Sequence, residues 1–349
     1  MKRAVVIGAV VIGAVVSDVP PIGGISTMML DPGLLPQVLP TDRLMVNGMA
    51  VRELRVELRR IADARNILSI VGLWASVVVL ITVGLRLGPL GCATAFVLMV
   101  PVFVRLAILM HEAAHRLLFS NRRINDWVGK WLIACPAFVP IGLYRASHFA
   151  HHKEEFGPNE PDIAFYAGYP GPWSALRRRL IRDAVGISGW KNLKPILRAT
   201  LKGPGRDISM PIVAVQLGLW AAMWLLSGRW FVYPLLWLGP WLTGWRVANR
   251  LRALGEHGGL GASRDRRLTT HHVAQSWLAR FWLVPYNTGW HLAHHVDMGI
   301  PWRNLPTFHA ELERAGYITE AMTYPSYRAL WRSLCGKDVP LPARVAARG

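Results

Sequence analysis

Four long stretches of the chain carry no charged side chain, and they occur as two close pairs. The stretches cover residues 67–85, 87–104, 208–226 and 230–245. At a rise of about 1.5 Å per residue, helices of this length approach the roughly 30 Å hydrocarbon core of a bilayer. The pattern therefore predicts four transmembrane helices in two hairpins, at about residues 67–85, 87–110, 208–226 and 230–248.

The segments that flank these stretches have a different composition. Residues 1–44 join a repetitive apolar run to a stretch rich in Pro and Gly. This composition predicts a disordered extension, and we expect activity to survive deletion of residues 1–40. Residues 45–66 place apolar side chains at helical spacing against a basic face, which predicts an interfacial amphipathic helix or, alternatively, a solvated helix. A membrane domain then covers residues 67–310, and residues 311–349 form a cytoplasmic C-terminal tail.

Positive charge is concentrated outside the short turns. The formal net charge is +19, and 15 Lys and Arg residues lie between residues 116 and 206, whereas the two turns hold only Arg86 and Arg229. By the positive-inside rule, the long loops and both termini face the cytoplasm. The charge therefore reflects membrane topology and contact with anionic lipid, and we expect no nucleic-acid partner. The chain is predicted to lie in the cytoplasmic membrane.

Three histidine-rich blocks lie in or beside these basic segments. They read His-Glu-Ala-Ala-His at 111–115, His-Phe-Ala-His-His at 148–152 and His-Leu-Ala-His-His at 291–295. On a helix, residues three and four apart share a face, so each block directs two or three imidazoles the same way. Imidazole is the commonest transition-metal ligand among side chains, and eight of them exceed one coordination sphere. The blocks predict a site for two metal ions that faces the cytoplasm.

The order of these blocks around two apolar pairs resembles the membrane fatty acid desaturase/hydroxylase superfamily. The resemblance covers roughly residues 65–310 and includes Arg-Ala-Leu-Gly-Glu-His-Gly at 252–258, Pro-Tyr-Asn at 285–287 and Pro-Asp at 161–162. It implies an all-α integral membrane protein with four transmembrane helices in two hairpins and a cytoplasmic helical cap. The cap would carry the histidine-rich di-metal site.

The resemblance also implies the occupants of that site. It implies a di-iron centre with O₂ as co-substrate and no catalytic residue beyond the metal ligands. The ligands that it implies are His111, His115, His148, His151, His152, His257, His291, His294 and His295. Asp162, Glu256 and Asn287 are candidates for hydrogen bonds around these ligands. Some relatives place an Asn four residues before the lone histidine, but this chain has Ala253 there.

The activity implied by the resemblance is desaturation of a lipid or acyl thioester at the cytoplasmic membrane face. Three Cys without a C-x-x-C pair exclude an iron–sulfur centre in this chain, and no haem-binding or flavin motif is visible. Electrons would then come from ferredoxin or from a cytochrome b5-like carrier with its reductase. Hydroxylation of a lipid, or ketolation or hydroxylation of a carotenoid, is the alternative within the superfamily.

Two alternatives lie outside the superfamily. Residues 111–115 also match the H-E-x-x-H helix of zinc metallopeptidases, in which Glu112 would be the general base. That reading leaves the other two blocks unexplained. A non-enzymatic metal carrier would instead need ligands along a path within the spans.

The remaining histidines give weaker signals. His257 is expected at the end of one continuous helix from Trp230, about 42 Å long at 1.5 Å per residue. His271 and His272 are adjacent, so their side chains point apart, which favours positions at the surface or at the rim of the substrate site. His309 lies in an amphipathic stretch and is expected to be structural.

Overall fold

A computed structural model describes residues 28–158 and 160–341 of the chain. These residues are mainly helical, with one short parallel pair of strands, β1 (His272–Val273) and β2 (Thr323–Tyr324). The chain divides into two compact units. We call residues 62–147 and 179–249 the membrane unit, and residues 28–61, 148–178 and 250–341 the histidine unit.

The described residues form fifteen α-helices. In chain order they are α1 (Arg52–Leu58), α2 (Asp63–Arg86), α3 (Gly88–His115), α4 (Arg122–Val128), α5 (Ile141–Lys153), α6 (Ile163–Tyr166), α7 (Trp173–Ala184), α8 (Ile187–Lys202), α9 (Arg206–Ser227), α10 (Gly239–Leu242), α11 (Gly244–His257), α12 (Trp277–Trp282), α13 (His291–Val296), α14 (Leu305–Arg314) and α15 (Tyr327–Leu334). Two π-helical segments, Gly129–Ala134 and Pro234–Leu238, precede α5 and α10.

Three helical segments of the described chain are long and apolar enough to cross a bilayer. They are Arg52–Arg86, Gly88–His115 and Arg206–Ser227, with mean hydropathy of 2.4, 2.3 and 1.7. Their apolar parts lie in α2, α3 and α9, which cover three of the four predicted spans. Leu87 alone separates α2 from α3, and a Cβ atom on Gly91 would lie 2.5 Å from the Gly84 carbonyl oxygen. Glycine at this position therefore allows the two backbones to approach closely.

The fourth predicted span, 230–248, does not form one helix. Its first part is the π-helical segment Pro234–Leu238 followed by α10, and the chain leaves helical geometry at Thr243, with φ −118° and ψ −90°. Pro234 and Pro240 lack the backbone N–H that a regular helix would use. The prediction of a continuous helix from Trp230 to His257 is therefore wrong, because the helix that carries His257 begins at Gly244. A fourth crossing stays a prediction.

Buried side chains complete the hydrogen bonding of the turn that leads towards α5. The Gln216 side-chain amide donates to the carbonyl oxygens of Cys135 and Pro136, at 2.8 and 3.0 Å. The Trp241 indole donates to the Ala137 carbonyl at 3.0 Å. Unpaired backbone groups are costly in an apolar environment, so these bonds stabilise an irregular turn within the membrane unit. The following helix, α5, carries the second histidine block.

A hydrophobic core in the histidine unit joins the chain before α1 to the chain around α13 and α14. Its buried members are Val38, Leu44, Ala50, Leu54, Leu58, Leu292, Ala293, Val296, Ile300, Trp302, Leu305, Phe308, Leu312, Tyr317 and Ile318. In α13, Leu292, Ala293 and Val296 alternate with the histidines of the third block. Burial of this apolar face thus fixes the helix that carries those histidines.

This core corrects two of the predicted boundaries. Residues 1–27 lie outside the described part of the chain, but Val38 and Leu44 are buried in the core and Leu44 forms a bridge with Ala50. The disordered extension predicted for residues 1–44 therefore does not describe residues 28–44, because their apolar side chains have a core to pack against. The boundary predicted at residue 310 falls within α14.

Candidate metal centre

The nine predicted ligands lie on four helices. His111 and His115 lie in the last turns of α3, in the membrane unit, with ring centroids 4.7 Å apart. The other seven belong to the histidine unit. His148, His151 and His152 come from α5, His257 ends α11, and the third block lies on α13. These seven rings converge, and all are buried except His291, whose side chain is 12% exposed.

Hydrogen bonds at Nδ1 orient three of these rings. His257 donates from Nδ1 to the Thr269 carbonyl oxygen at 2.8 Å, and a carbonyl can only accept. His151 Nδ1 lies 3.0 Å from both carboxylate oxygens of Glu160, and His295 Nδ1 lies 2.5 Å from Glu155 Oε1. In the neutral form, each ring then has its proton on Nδ1 and a lone pair on Nε2. One donor atom from each of the three rings lies within 4.8 Å of the others, which is suitable for a shared cation.

The ring nitrogens of the histidine unit also face one another at short distances. Nε2 of His291 lies 3.1 Å from Nε2 of His257 and 3.0 Å from Nε2 of His295. Nε2 of His152 lies 3.1 Å from Nε2 of His148 and 3.0 Å from Nε2 of His294. Lone pairs repel at this separation unless a proton or a metal ion lies between them. The donor set therefore fits a transition-metal ion that takes imidazole ligands.

Burial governs the charge state of these rings. It lowers the pKa values of His257, His291 and His295 well below the usual imidazole value, and neighbouring histidines lower them further. Burial also acts to lower the pKa of His151, but the hydrogen bond and charge of Glu160 outweigh it and raise that pKa to about 9. A metal ion ligated by His151 would displace this proton, because ligation requires the neutral ring.

Two carboxylates that the sequence analysis did not select orient the second and third blocks. Glu160 accepts from His151 Nδ1 and also from the backbone N–H groups of Phe156 and Asp162, at 3.2 and 3.0 Å. Glu155 accepts from His295 Nδ1 and is paired with Arg266, which also donates to the His152 carbonyl at 2.8 Å. The available signal was the acidic composition of the segment directly after the second block.

The comparison with known proteins agrees with this geometry. The sequence profile described as Fatty acid desaturase matches residues 87–329, which is more than half of the chain. The chain belongs to the fatty acid desaturase family. The predicted family is therefore confirmed, and with it an oxidoreductase that has histidine-rich metal-binding clusters and apolar helices consistent with a membrane protein.

This desaturase-family chain is similar to one curated protein that is named as a desaturase. The chain is 26% identical over 223 residues to the dihydrorhizobitoxine desaturase of Bradyrhizobium elkanii. The match covers 59% of this chain and 63% of the relative. The chain thus spans less than two thirds of the relative's length.

The three candidates for contacts around the ligands have different surroundings in this desaturase-family chain. A carboxylate oxygen of Asp162 lies within 4.8 Å of a carboxylate oxygen of Glu160 and of a ring nitrogen of His151. Asp162 Oδ1 is buried without a hydrogen bond, and burial raises the pKa of Asp162 to about 6. Glu256 Oε1 lies 3.7 Å from His291 Nδ1, which is too long for a hydrogen bond, and burial raises its pKa. Asn287 lies in the turn before α13 with φ 61°. Among the described residues, no contact joins its side chain to a histidine.

Three further histidines of this desaturase-family chain are held by other groups. His271 Nε2 donates to the Gly258 carbonyl at 2.7 Å, and His272 Nδ1 contacts Thr323 Oγ1 at 2.8 Å. The His272 ring stacks on His309 with centroids 4.8 Å apart. All three are buried, so the surface position predicted for His271 and His272 is wrong, and a position at the rim of the substrate site stays a prediction. The hydrogen bonds of His271 and His272, and the stacking of His309 on His272, allow these three rings to be buried within the polypeptide.

Proposed function

We propose that this chain is an O₂-dependent desaturase that inserts a double bond into a fatty acyl or lipid chain at the cytoplasmic membrane face. The observation that carries the proposal is the cluster of buried imidazoles whose Nδ1 partners leave Nε2 available. Membership of the fatty acid desaturase family gives this cluster its chemical context.

The proposed cofactor is a pair of iron ions held by the nine histidines named above. When bound, the irons would supply the oxidation of an unactivated C–H bond by O₂, which amino-acid side chains cannot perform. Neutral imidazoles in this number suit two ions, with water or oxygen at remaining positions. The ring nitrogens of His151, His257 and His295 form one group, and those of His148, His152 and His294 form another.

The polypeptide contributes orientation and shielding to this proposed centre. The Thr269 carbonyl, Glu160 and Glu155 hold the protons at Nδ1, so the lone pairs at Nε2 stay directed into the cluster. The rings of Phe156 and Tyr166 lie 6.3 and 5.5 Å from the His257 ring and cover it with apolar surface. Such packing keeps water away from the ligand and favours its neutral form.

The proposed reaction removes two hydrogen atoms from adjacent carbon atoms. A –CH₂–CH₂– unit, O₂, two electrons and two protons give –CH=CH– and two molecules of water. The two electrons require an external donor, for which we propose ferredoxin or a cytochrome b5-like carrier with its reductase. The distribution of Lys and Arg supports a site on the cytoplasmic face.

The desaturase is preferred to the alternatives for two reasons. The family and the curated relative are both named for desaturation, which favours it over hydroxylation or ketolation. A metallopeptidase with one zinc ion on His111, His115 and a third ligand would leave at least six of the converging histidines without a role.

Lipid analysis of a host that expresses the chain tests the proposal. We expect new unsaturated acyl chains with the wild-type protein, none with His152→Ala, and the wild-type amount with His309→Ala as the matched histidine control. Mass spectrometry also distinguishes the alternatives, since a hydroxyl or keto product would assign the other superfamily reactions. Zinc in place of iron in the purified protein, with no lipid product, would contradict the proposal.

A further inference from the structure

The helix that carries the third histidine block is too short to hold its own shape. Helix α13 has six residues, and isolated helices below about 12 residues are marginal in water. The residue that ends it, Asp297, is 3% exposed although it is a carboxylate. A buried carboxylate needs partners, and they come from a distant part of the sequence.

Two arginines hold Asp297, one in α1 and one directly after it. Arg55 Nε lies 3.0 Å from Asp297 Oδ2, and Arg59 Nη2 lies 2.7 Å from Oδ1. The two arginines are four residues apart across the C-terminal end of α1, so both side chains can reach the same carboxylate. The Gly299 N–H also donates to Oδ1, at 3.0 Å, and a Cβ atom at that position would lie 2.6 Å from Arg59 Nη2. The local sequence after α13 thus leaves room for the guanidinium group.

Further contacts fix α1 beside the third block. The Asn304 side chain donates to the carbonyl oxygens of Leu58 and Arg60, at 2.7 and 3.1 Å. Leu54 and Leu58 are buried in the same core as the apolar residues of α13. Helix α1 therefore has contacts with both the apolar residues and the C-terminal end of α13.

The chain before α1 reaches the segment that follows His257. Arg267 donates to the Pro36 carbonyl at 3.0 Å. A Cβ atom on Gly259 would lie 2.8 Å from Met28 Cγ, and one on Gly261 would lie 2.8 Å from Met29 Sδ. Residues 28–60, which we call the N-terminal arm, thus pack against the chain next to two of the ligand-bearing helices.

We propose that the N-terminal arm positions the metal ligands of α13, with Arg55 and Arg59 as positioning residues that act through Asp297. The inference rests on the proposed role of His291, His294 and His295 as iron ligands. Loss of both guanidinium groups leaves the buried carboxylate unpaired, and such a group must move towards water. Because Asp297 is two residues from His295, that movement displaces the histidine side chains from their ligating positions.

The test compares iron release from purified, iron-loaded protein in the presence of a chelator. We expect the double variant Arg55→Gln/Arg59→Gln to release iron at least about tenfold faster than the wild type, in the range of other changes around metal ligands. The matched control is Arg43→Gln, which removes the 2.9 Å pair between the arm and Glu311 but does not touch α13. The control should lower the unfolding temperature without faster iron release.

Two additional variants separate positioning from general stability. If the double variant does not fold, Arg59→Gln alone replaces it. The Arg59 side chain is 44% exposed, so we expect a smaller increase in the rate of iron release over the Arg43→Gln control. Asp297→Asn combined with Arg59→Gln should release iron no faster than the more severe single variant, because both changes act on one interaction.

The outcomes distinguish this inference from the proposed function. If the wild type holds iron and the arginine variants release it at the rate of Arg43→Gln, the positioning role is wrong and the proposed function stands. If the wild type itself binds no iron, both are wrong.

Discussion

Helices α3 and α13 both carry histidines at helical spacing, but the two helices are held in place differently. α3 has 28 residues, and its length allows most of its backbone hydrogen bonds to form within the helix. α13 has six residues and depends on Asp297, on Arg55 and Arg59, and on the apolar core. Histidines at helical spacing can therefore be held in place by local structure in one helix and by tertiary contacts in another.

Substitution of His257 should have the strongest effect. His257 is the one predicted ligand outside the three histidine blocks, and its imidazole contacts His291 of α13. We expect His257→Ala to lose one iron or most of its turnover. The variant lacks the ring whose Nδ1–H donates to the Thr269 carbonyl and whose Nε2 lone pair is thereby directed into the cluster. Iron content and turnover of purified protein measure this, with His309→Ala as the control that keeps both. Two irons and full turnover in His257→Ala would show that the other eight histidines suffice.

The next effect concerns the carboxylates that orient the rings. We expect Glu160→Gln to weaken iron binding by about 10–100-fold, because the uncharged amide no longer favours the Nδ1–H form of His151 to the same extent. Titration in iron-buffered solution gives the affinity. The matched control is Glu154→Gln. Glu154 is exposed, so this variant should bind iron with the affinity of the wild type. Equal affinities in the two variants would remove Glu160 from the account of the centre.

Iron removal should sharpen the difference between the two helices. We expect the amides of α13 to exchange faster with solvent after chelation, while residues 98–110 of α3 keep their protection. A bound ion at 100 times its Kd stabilises by about 2.7 kcal/mol, so exchange in α13 should increase up to about a hundredfold. Hydrogen–deuterium exchange with mass spectrometry measures both helices in one sample. Equal changes in α3 and α13 would contradict the comparison.

The smallest expected effect comes from a matched pair of alanines. Ala293→Gly in α13 and Ala114→Gly in α3 each replace a buried alanine beside the histidines of a block. Each should cost about 1 kcal/mol of helix stability, a factor of about five in a local equilibrium. We expect iron release to accelerate measurably only for Ala293→Gly, since the rest of α3 maintains the geometry around Ala114. Faster release in Ala114→Gly would show that α3 is also marginal at its end.

Several features of this protein could be predicted from sequence because their causes are local. Helical spacing within each histidine block, and the apolar composition of α2, α3 and α9, depend on residues that are close in the chain. The family could also be recognised from these blocks, and the match over residues 87–329 confirms it. Neither inference required knowledge of which distant residues are neighbours.

The break at Thr243 was only partly predictable from the local sequence. Pro234, Gly239, Pro240 and Gly244 all lie in the segment that was expected to form one span. These residues permit a break but do not require one, since proline occurs inside α3 and α9 as Pro101 and Pro211. Directly after the break, the backbone packs closely against α3, since a Cβ atom on Gly244 would lie 2.5 Å from Val100 Cγ2.

The amino-acid sequence alone was enough to predict which side chains could bind metal and which helices are apolar enough for a bilayer. The groups that orient the imidazoles of His151, His257 and His295 lie outside the helices that carry these histidines, even where, as for Glu160 and Thr269, they follow the histidine by only 9 and 12 positions. Their identity therefore depends on the folded chain. Glu155 meets His295 across 140 positions, and Arg55 meets Asp297 across 242. Periodicity reports which face a residue occupies within its own helix, whereas a hydrogen bond between distant segments exists only after the core of the histidine unit has brought them together.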